Sequence, residues 1–250
     1  MHRIIKTIIL LITIATMPFM ARGQKRYEGP GNWFVGIDAG VALAMNENVT
    51  GKNFFHTKIP SGSITLGKTI TPYWGLRLSA GFYSQIGHPH EKAIEYDKDT
   101  YGDYRFHTAS GSLDLMLNMT NWFRPYDVRN WFDAYLIAGG GVLYTFGMDK
   151  KVDAWPSYVY PVNSEELLTW NAKTGIMAAW HANRACDVTF EVDCFFTDNA
   201  YNGVVDNPSR SIDLFLSPRI GVVYYFKNSK GRHRYANIAK NHRYWRGLNN

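Results

Sequence analysis

The sequence predicts an all-β fold: an eight-stranded antiparallel transmembrane up-and-down β-barrel with short periplasmic turns and long extracellular loops. Three observations predict it. Eight runs of roughly ten residues alternate large apolar with small or polar side chains, and alternation of period two marks a half-buried strand. The connections between runs are alternately short and long, as in barrels whose two rims face different compartments. The chain also opens with the three parts of an export signal. Composition is compatible: aromatics are 15%, charged residues 19% and glycines number 22, with a mean hydropathy of −0.27. Beyond the first segment no apolar run reaches the roughly 18 residues of a membrane helix. Barrel strands escape that test because only every second residue faces lipid.

Arg3 and Lys6 form the positive start of the signal, and Ile8 to Met20 its apolar stretch, interrupted by Pro18. Ala21-Arg22-Gly23 places small residues where a cut before Gln24 needs them. The expected organisation is therefore a signal peptide over 1–23, an outer-membrane barrel over 24–226 and a basic periplasmic tail over 227–250.

Run one is the clearest strand. Trp33, Val35, Ile37, Ala39, Val41 and Leu43 share one face, and Phe34, Gly36, Asp38, Gly40 and Ala42 the other. Run two spans about 62–70, with Ile64, Leu66 and Ile70 outward; Thr71-Pro72-Tyr73 then turns the chain. Run three carries Trp74, Leu76, Leu78, Ala80 and Phe82 outward, and run four, about 105–119, carries Leu113, Leu115, Leu117 and Met119. Run five covers 132–146 with Leu136, Ala138, Val142 and Tyr144 outward, and run six covers about 169–181. In run seven (187–196) Val188, Phe190, Val192, Cys194 and Phe196 point out; in run eight (211–226) Ile212, Leu214, Leu216, Ile220, Val222, Tyr224 and Phe226 do. Long connections follow runs one, three, five and seven. Trp33, Trp74, Trp122, Trp131, Trp180 and Phe226 fall at the periplasmic rim, and Tyr83, Tyr104, Tyr144 and Trp170 at the outer one. A soluble lipocalin-like barrel would instead turn the large apolar face inward. If Cys186 and Cys194, eight residues apart, lie on one extended strand they are too distant for a disulfide; they read as a small turn residue and a lipid-facing apolar one.

The last run ends Arg219-Ile220-Gly221-Val222-Val223-Tyr224-Tyr225-Phe226, and run five contains Asp133-Ala134-Tyr135-Leu136-Ile137-Ala138-Gly139-Gly140-Gly141. With the order of signal, eight runs and terminal motif, residues 32–226 resemble the OmpA/OmpX-type small outer-membrane β-barrels. The resemblance implies that the barrel-assembly machinery reads Arg219, Gly221, Tyr224 and Phe226 as its C-terminal signal. In the family that signal usually ends the chain or precedes a folded domain. Here 24 residues follow, too few for the peptidoglycan-binding domain of OmpA itself.

By parity, Asp38, Arg77, Asp114, Asp133, Lys173, Glu191, Asp193, Asp213 and Arg219 face the lumen. An eight-stranded barrel has room for side chains but hardly for a channel, and buried ions must pair. These residues are therefore expected to form a charge network that closes the interior; a narrow porin-like path is the alternative. In the tail Lys227, Lys230, Arg232, Arg234, Lys240, Arg243 and Arg246 stand without an acid. Removing these seven and the three cations of the signal from 27 leaves 17 Lys and Arg against 21 acids, so the basic balance belongs to the tail. Such a tail suits anionic lipid or cell-wall polymer, or stands as a solvated extension; nucleic acid is not an expected partner of an exported chain.

Other motifs carry less. Gly62-Ser63-Ile64-Thr65-Leu66-Gly67-Lys68-Thr69 matches the P-loop formula, but it alternates as a strand and Pro72 forbids the helix that must follow. Lys68 reads better as a side chain reaching the interface. His88, His90, Glu91, Asp97, Asp99 and Asp103 offer metal-ligand types in a polar loop, without the ligand spacing of a calcium loop. A lipid A-modifying enzyme would need Ser, His and a carboxylate in reach; His107 and Ser110 have opposite parity and face different sides. The expectation is a non-enzymatic barrel without cofactor or metal, in contact with outer-membrane lipid. Its loop aromatics (Phe54, Phe55, Tyr96, Tyr101, Trp155, Tyr158, Tyr160, Tyr201) suit extracellular protein or glycan, or packing of the loops on one another.

Overall fold

The computed structural model describes residues 31–44, 59–87, 104–123, 130–147, 160–161, 167–198, 201, 204–205 and 212–227. Eight long strands close into one barrel: β1 (Trp33–Ala44), β2 (Ile59–Thr69), β3 (Trp74–Gly87), β4 (Tyr104–Asn118), β5 (Phe132–Phe146), β7 (Leu167–His181), β8 (Cys186–Asp198) and β10 (Ile212–Tyr225). Each is antiparallel to its neighbours in chain order, and β10 closes on β1. Two short strands, β6 (Tyr160–Pro161) and β9 (Val204–Val205), pair with each other in a separate sheet. The closing seam skips Val41 and Ala42 on β1. Pro218 stands there on β10 without an N–H to give the ladder.

Local chemistry sets the short turns. Thr71 Oγ1 accepts from the backbone N–H of Tyr73 at 3.1 Å and of Trp74 at 3.2 Å, bending the chain between β2 and β3. Asn183 Oδ1 accepts from the N–H groups of Ala185 and Cys186 at 2.8 and 2.9 Å and does the same between β7 and β8. Met119, expected as the last outward residue of run four, instead opens a short helix, α1 (Met119–Phe123). The reason is an N-cap: Asn118 Oδ1 accepts the N–H of Asn121 at 2.9 Å, and Asn121 Nδ2 donates to the Pro72 carbonyl at 2.8 Å.

Polarity is inverted relative to a soluble barrel. Ile37, Ile64, Leu78, Leu113, Ile176 and Ile220 stand exposed on the outer wall, whereas Arg77, Asp114 and Asp193 are buried inside. A one-residue slip in any strand would exchange the two sets, so this pattern fixes the register. No helix among the described residues is long and apolar enough to cross a membrane; the wall that can is made of strands. Trp33, Trp131, Trp180 and Phe226 are exposed at the short-turn rim, with Lys68 Nζ 5.3 Å from the Trp33 ring centroid. Tyr144 and Trp170 are exposed near the other rim. Tyr83 corrects the expected rim: it is 2% exposed and points into the lumen, as its odd position on β3 requires. Cys186 and Cys194 are both free and both lie on β8.

Candidate functional site

The lumen is filled in three layers. Nearest the short turns, Phe34, Met116, Tyr135, Ile137, Met177, Ala179, Val223 and Tyr225 form an apolar cluster. The middle is ionic. Nearest the long connections the filling is aromatic. The small or polar inner face expected from the alternation holds in the middle layer, whereas the layers on either side carry large apolar or aromatic side chains as well.

In the middle layer Arg77 on β3 donates through Nη1 and Nη2 to both oxygens of Glu191 on β8, at 2.8 and 2.6 Å. Its Nε donates to Asp114 on β4 at 2.9 Å. Lys173 on β7 donates to the same Asp114 oxygen at 2.6 Å and lies 3.6 Å from Asp193. Arg219 on β10 donates to Glu191 at 2.8 Å and to Asp193 at 2.5 Å, and pairs with Asp38 on β1 at 3.1 Å. Ser79 and Ser63 donate to Asp114 and Asp38 at 2.8 and 2.6 Å. Seven of the nine inward charges thus meet in one cluster of four carboxylates and three cations. Backbone space permits it: a Cβ on Gly139 or Gly175 would collide with the Asp114 or Asp193 carboxylate, so only glycine fits beside each.

The other two predicted inward charges lie elsewhere. Asp133 sits near the short-turn end, where His181 is held between two carboxylates. Its Nδ1 is 2.8 Å from Asp187 and its Nε2 3.3 Å from Asp133. Asn130 Nδ2 and the Tyr135 hydroxyl also donate to Asp133, at 3.1 and 3.3 Å. Asp213 is buried near the opposite end of β10, across from Thr197. The His181–Asp187 pair is absent from the sequence expectation; both residues flank a turn, where parity alone does not say what meets.

The aromatic layer is also beyond the sequence reading. Phe195 and Phe215 stack at 4.4 Å between centroids. Tyr83 packs edge-on against both, at 5.3 and 5.5 Å, and accepts a 2.9 Å hydrogen bond from Arg219 Nη1. Tyr201 packs on Phe215 at 5.9 Å and on Phe106 at 5.9 Å, and donates to Gln85 at 3.0 Å. Tyr201, expected either to serve recognition or to pack within the loops, is fully buried and packs on aromatic side chains of the strands. The signal was available for the strand residues, since Phe106, Phe195 and Phe215 have inward parity. At the short-turn mouth a cavity of about 30 Å³ lies among Asn32, Thr69, Asn118 and Tyr135, room for a water molecule.

Gly221 pairs with Asp38, while Tyr224 and Phe226 are exposed on the wall with rings 5.3 Å apart. Lys227 is exposed just past β10; Lys230, Arg232, Arg234, Lys240, Arg243 and Arg246 lie outside the described residues. So do His88, His90, Glu91, Asp97, Asp99 and Asp103, and among the described residues no group of three His, Cys, Asp or Glu side chains is arranged to hold a metal ion. The P-loop-like stretch is part of β2. His107 bonds not to Ser110 but to Ser84, whose Oγ lies 2.9 Å from Nδ1. Among the described residues no carboxylate orients that ring, as a hydrolytic triad would require.

No family model matches the chain. It is 23% identical over 171 residues to outer membrane protein 40 of Porphyromonas gingivalis, covering 68% of this chain and 41% of that protein. To outer membrane protein 41 of the same organism it is 24% identical over 185 residues, covering 71% and 42%. The chain thus spans about two-fifths of the length of the curated relatives it matches. Among solved structures it is similar to Neisserial surface protein A, with a TM-score of 0.49 and 13% identity over 78% of this chain and 97% of that one.

Proposed function

We propose that this chain, a small outer-membrane β-barrel of the OmpA/OmpX type, is non-enzymatic and serves an envelope-structural or surface-interaction role through its extracellular loops. As an integral protein of the Gram-negative outer membrane it meets lipid along its whole apolar wall. The observation that carries the reading is the filled lumen: among the described residues an apolar layer, an ionic layer and an aromatic layer occupy the interior. With the interior committed to packing, recognition is left to the extracellular connections after β1, β3, β5 and β8. Their aromatics, among them Phe54, Tyr101, Trp155 and Tyr158, suit protein or glycan surfaces, where aromatic side chains are enriched. Assembly through Arg219, Gly221, Tyr224 and Phe226, and contact of the basic tail with cell wall or anionic lipid, belong to the same proposal.

The deciding experiment is conductance in planar bilayers, paired with binding of the purified protein to glycan and extracellular-matrix arrays. The expected result is a silent bilayer and binding that falls when Trp155 and Tyr158 become Ser. Reproducible single-channel steps with each insertion would overturn the reading in favour of a narrow porin.

A further inference from the structure

The side chains of the ionic layer do not balance. Asp38, Asp114, Glu191 and Asp193 meet Arg77, Lys173 and Arg219, four carboxyl groups against three cations. All eight strands of the barrel reach this layer. β1 brings Asp38, β3 Arg77 and the Tyr83 hydroxyl, β4 Asp114, β7 Lys173, β8 Glu191 and Asp193, and β10 Arg219. β2 and β5 bring Ser63 and Gly139, which do not titrate. The excess is one negative charge, at a height where the wall faces acyl chains and an uncompensated buried ion is strongly disfavoured.

Donors are unevenly shared among the four carboxyl groups. Glu191 receives three N–H bonds, two from Arg77 and one from Arg219. Asp114 receives Arg77, Lys173 and Ser79. Asp38 receives Ser63 and lies 3.1 Å from Arg219 Nε. Asp193 receives a single bond, 2.5 Å long, from the Arg219 Nη2 that also serves Glu191, and Lys173 stands back at 3.6 Å. Its Oδ1 is buried and takes no donor from the described residues. Glu191 and Asp193 are successive inward residues of β8, and their side chains meet within hydrogen-bonding reach. Two carboxylates cannot hydrogen-bond to each other, whereas an acid and a carboxylate can.

We propose that the lumen of this barrel is a proton-binding site: Asp193 carries a proton at neutral pH and donates it to Glu191, which stays ionised between Arg77 and Arg219. The proton cancels the excess charge and supplies the donor that the pair lacks. A hard metal cation fits less well, because it takes about six oxygen ligands, and among the described residues no group of three His, Cys, Asp or Glu side chains is arranged to hold one. The site is independent of any role of the loops.

Its test is infrared spectroscopy of the folded full-length protein in phospholipid vesicles at neutral pH, where exposed carboxyl groups are ionised and a buried acid shows a protonated C=O band. Wild type is compared with Asp193→Asn, each checked for the folded band by heat-dependent gel mobility and unfolded in urea. An acid component present in wild type and lost in Asp193→Asn is expected. The amide has the shape of the protonated acid, with an acceptor for Arg219 and a donor for Glu191, so the urea midpoint should stay at the wild-type value. Arg77→Met, which removes a charge from the same cluster, should lower it. A wild type without an acid band, or a band unchanged in Asp193→Asn, would overturn the site. So would an Asp193→Asn protein that fails to fold or unfolds as early as Arg77→Met. An acid band that appears only when sodium and calcium are withdrawn would also overturn it, since a cation would then hold the proton's place.

Discussion

Replacing Arg77 by Met keeps the bulk of the side-chain stem and deletes its guanidinium. Asp114 would still hold Lys173 and Ser79. Glu191 would keep Arg219 on Oε1 but lose both Arg77 N–H donors, the one on its Oε2 included. The cluster would then set four carboxylates against two cations. Breaking a buried ion pair from one side costs about 3–5 kcal/mol, a large share of an ordinary folding free energy of about 5–15 kcal/mol. Glu191→Met strands two guanidinium N–H groups of Arg77 and carries a similar cost. The double variant strands neither. Lys173 and Arg219 would face Asp38, Asp114 and Asp193, restoring the single negative excess of the wild type. Its loss should fall short of the sum of the singles by at least about 2 kcal/mol, within the range of coupling measured for residues in one network. Equilibrium urea unfolding in phospholipid vesicles, followed by tryptophan emission and by the heat-modifiable gel band, measures all four proteins. A cost below about 1 kcal/mol for Arg77→Met, or strict additivity in the double variant, would refute the claim that these charges act as one network.

Gly175→Val would place a branched side chain where the Asp193 carboxylate lies and push it from Lys173 and Arg219. The urea midpoint should fall by the equivalent of about 3 kcal/mol or more, while the same change at Gly111, where an added Cβ meets nothing within 4 Å, should stay within about 1 kcal/mol. His181→Leu removes the group between Asp133 and Asp187 and leaves two buried carboxylates facing an apolar side chain; hydrogen exchange should rise first at the β5, β7 and β8 ends of the short-turn rim. Phe226→Ala, at an exposed ring beyond the ladder, should slow appearance of the folded band in cells far more than it lowers stability in vitro; equal effects on both would speak against an assembly signal. The isolated 227–250 peptide should bind anionic vesicles or wall fragments at low salt and release them as salt rises, and absence of binding at low salt would remove that contact.

The barrel was legible because its wall sorts side chains by a period of two over eight runs. A large residue on one parity and a small or charged one on the other cannot be satisfied by a helix. Which inward residues touch was not legible. Arg77 and Glu191 are 114 residues apart and Tyr83 and Arg219 are 136 apart. Their meeting depends on the stagger of strands across a closed barrel, which no local pattern encodes. Tyr83 shows the hazard of reading chemistry before parity: tyrosine suits a rim, yet its odd position on β3 turns it inward. Tyr201 lies outside the strands, so neither period nor parity could have found its place against Phe106 and Phe215.

The vertical order of the three layers bears on what the protein can do. The ionic cluster occupies the height at which the outer wall faces acyl chains, the least polar surroundings on the molecule. There charge pairs are screened least, so losing one partner is costly and the lumen has one arrangement rather than many. The stack of Tyr83, Phe195, Phe215 and Tyr201 covers the cluster from the loop side, and Tyr201 carries that packing into the connection between β8 and β10. A loop pinned by a buried tyrosine loses less entropy on binding a partner than a free one, because part of its ordering has already occurred on folding. Tyr201→Ala should therefore weaken any partner that binds the extracellular connections while leaving the strands folded. A partner bound equally well by that variant would have to sit on segments the plug does not restrain.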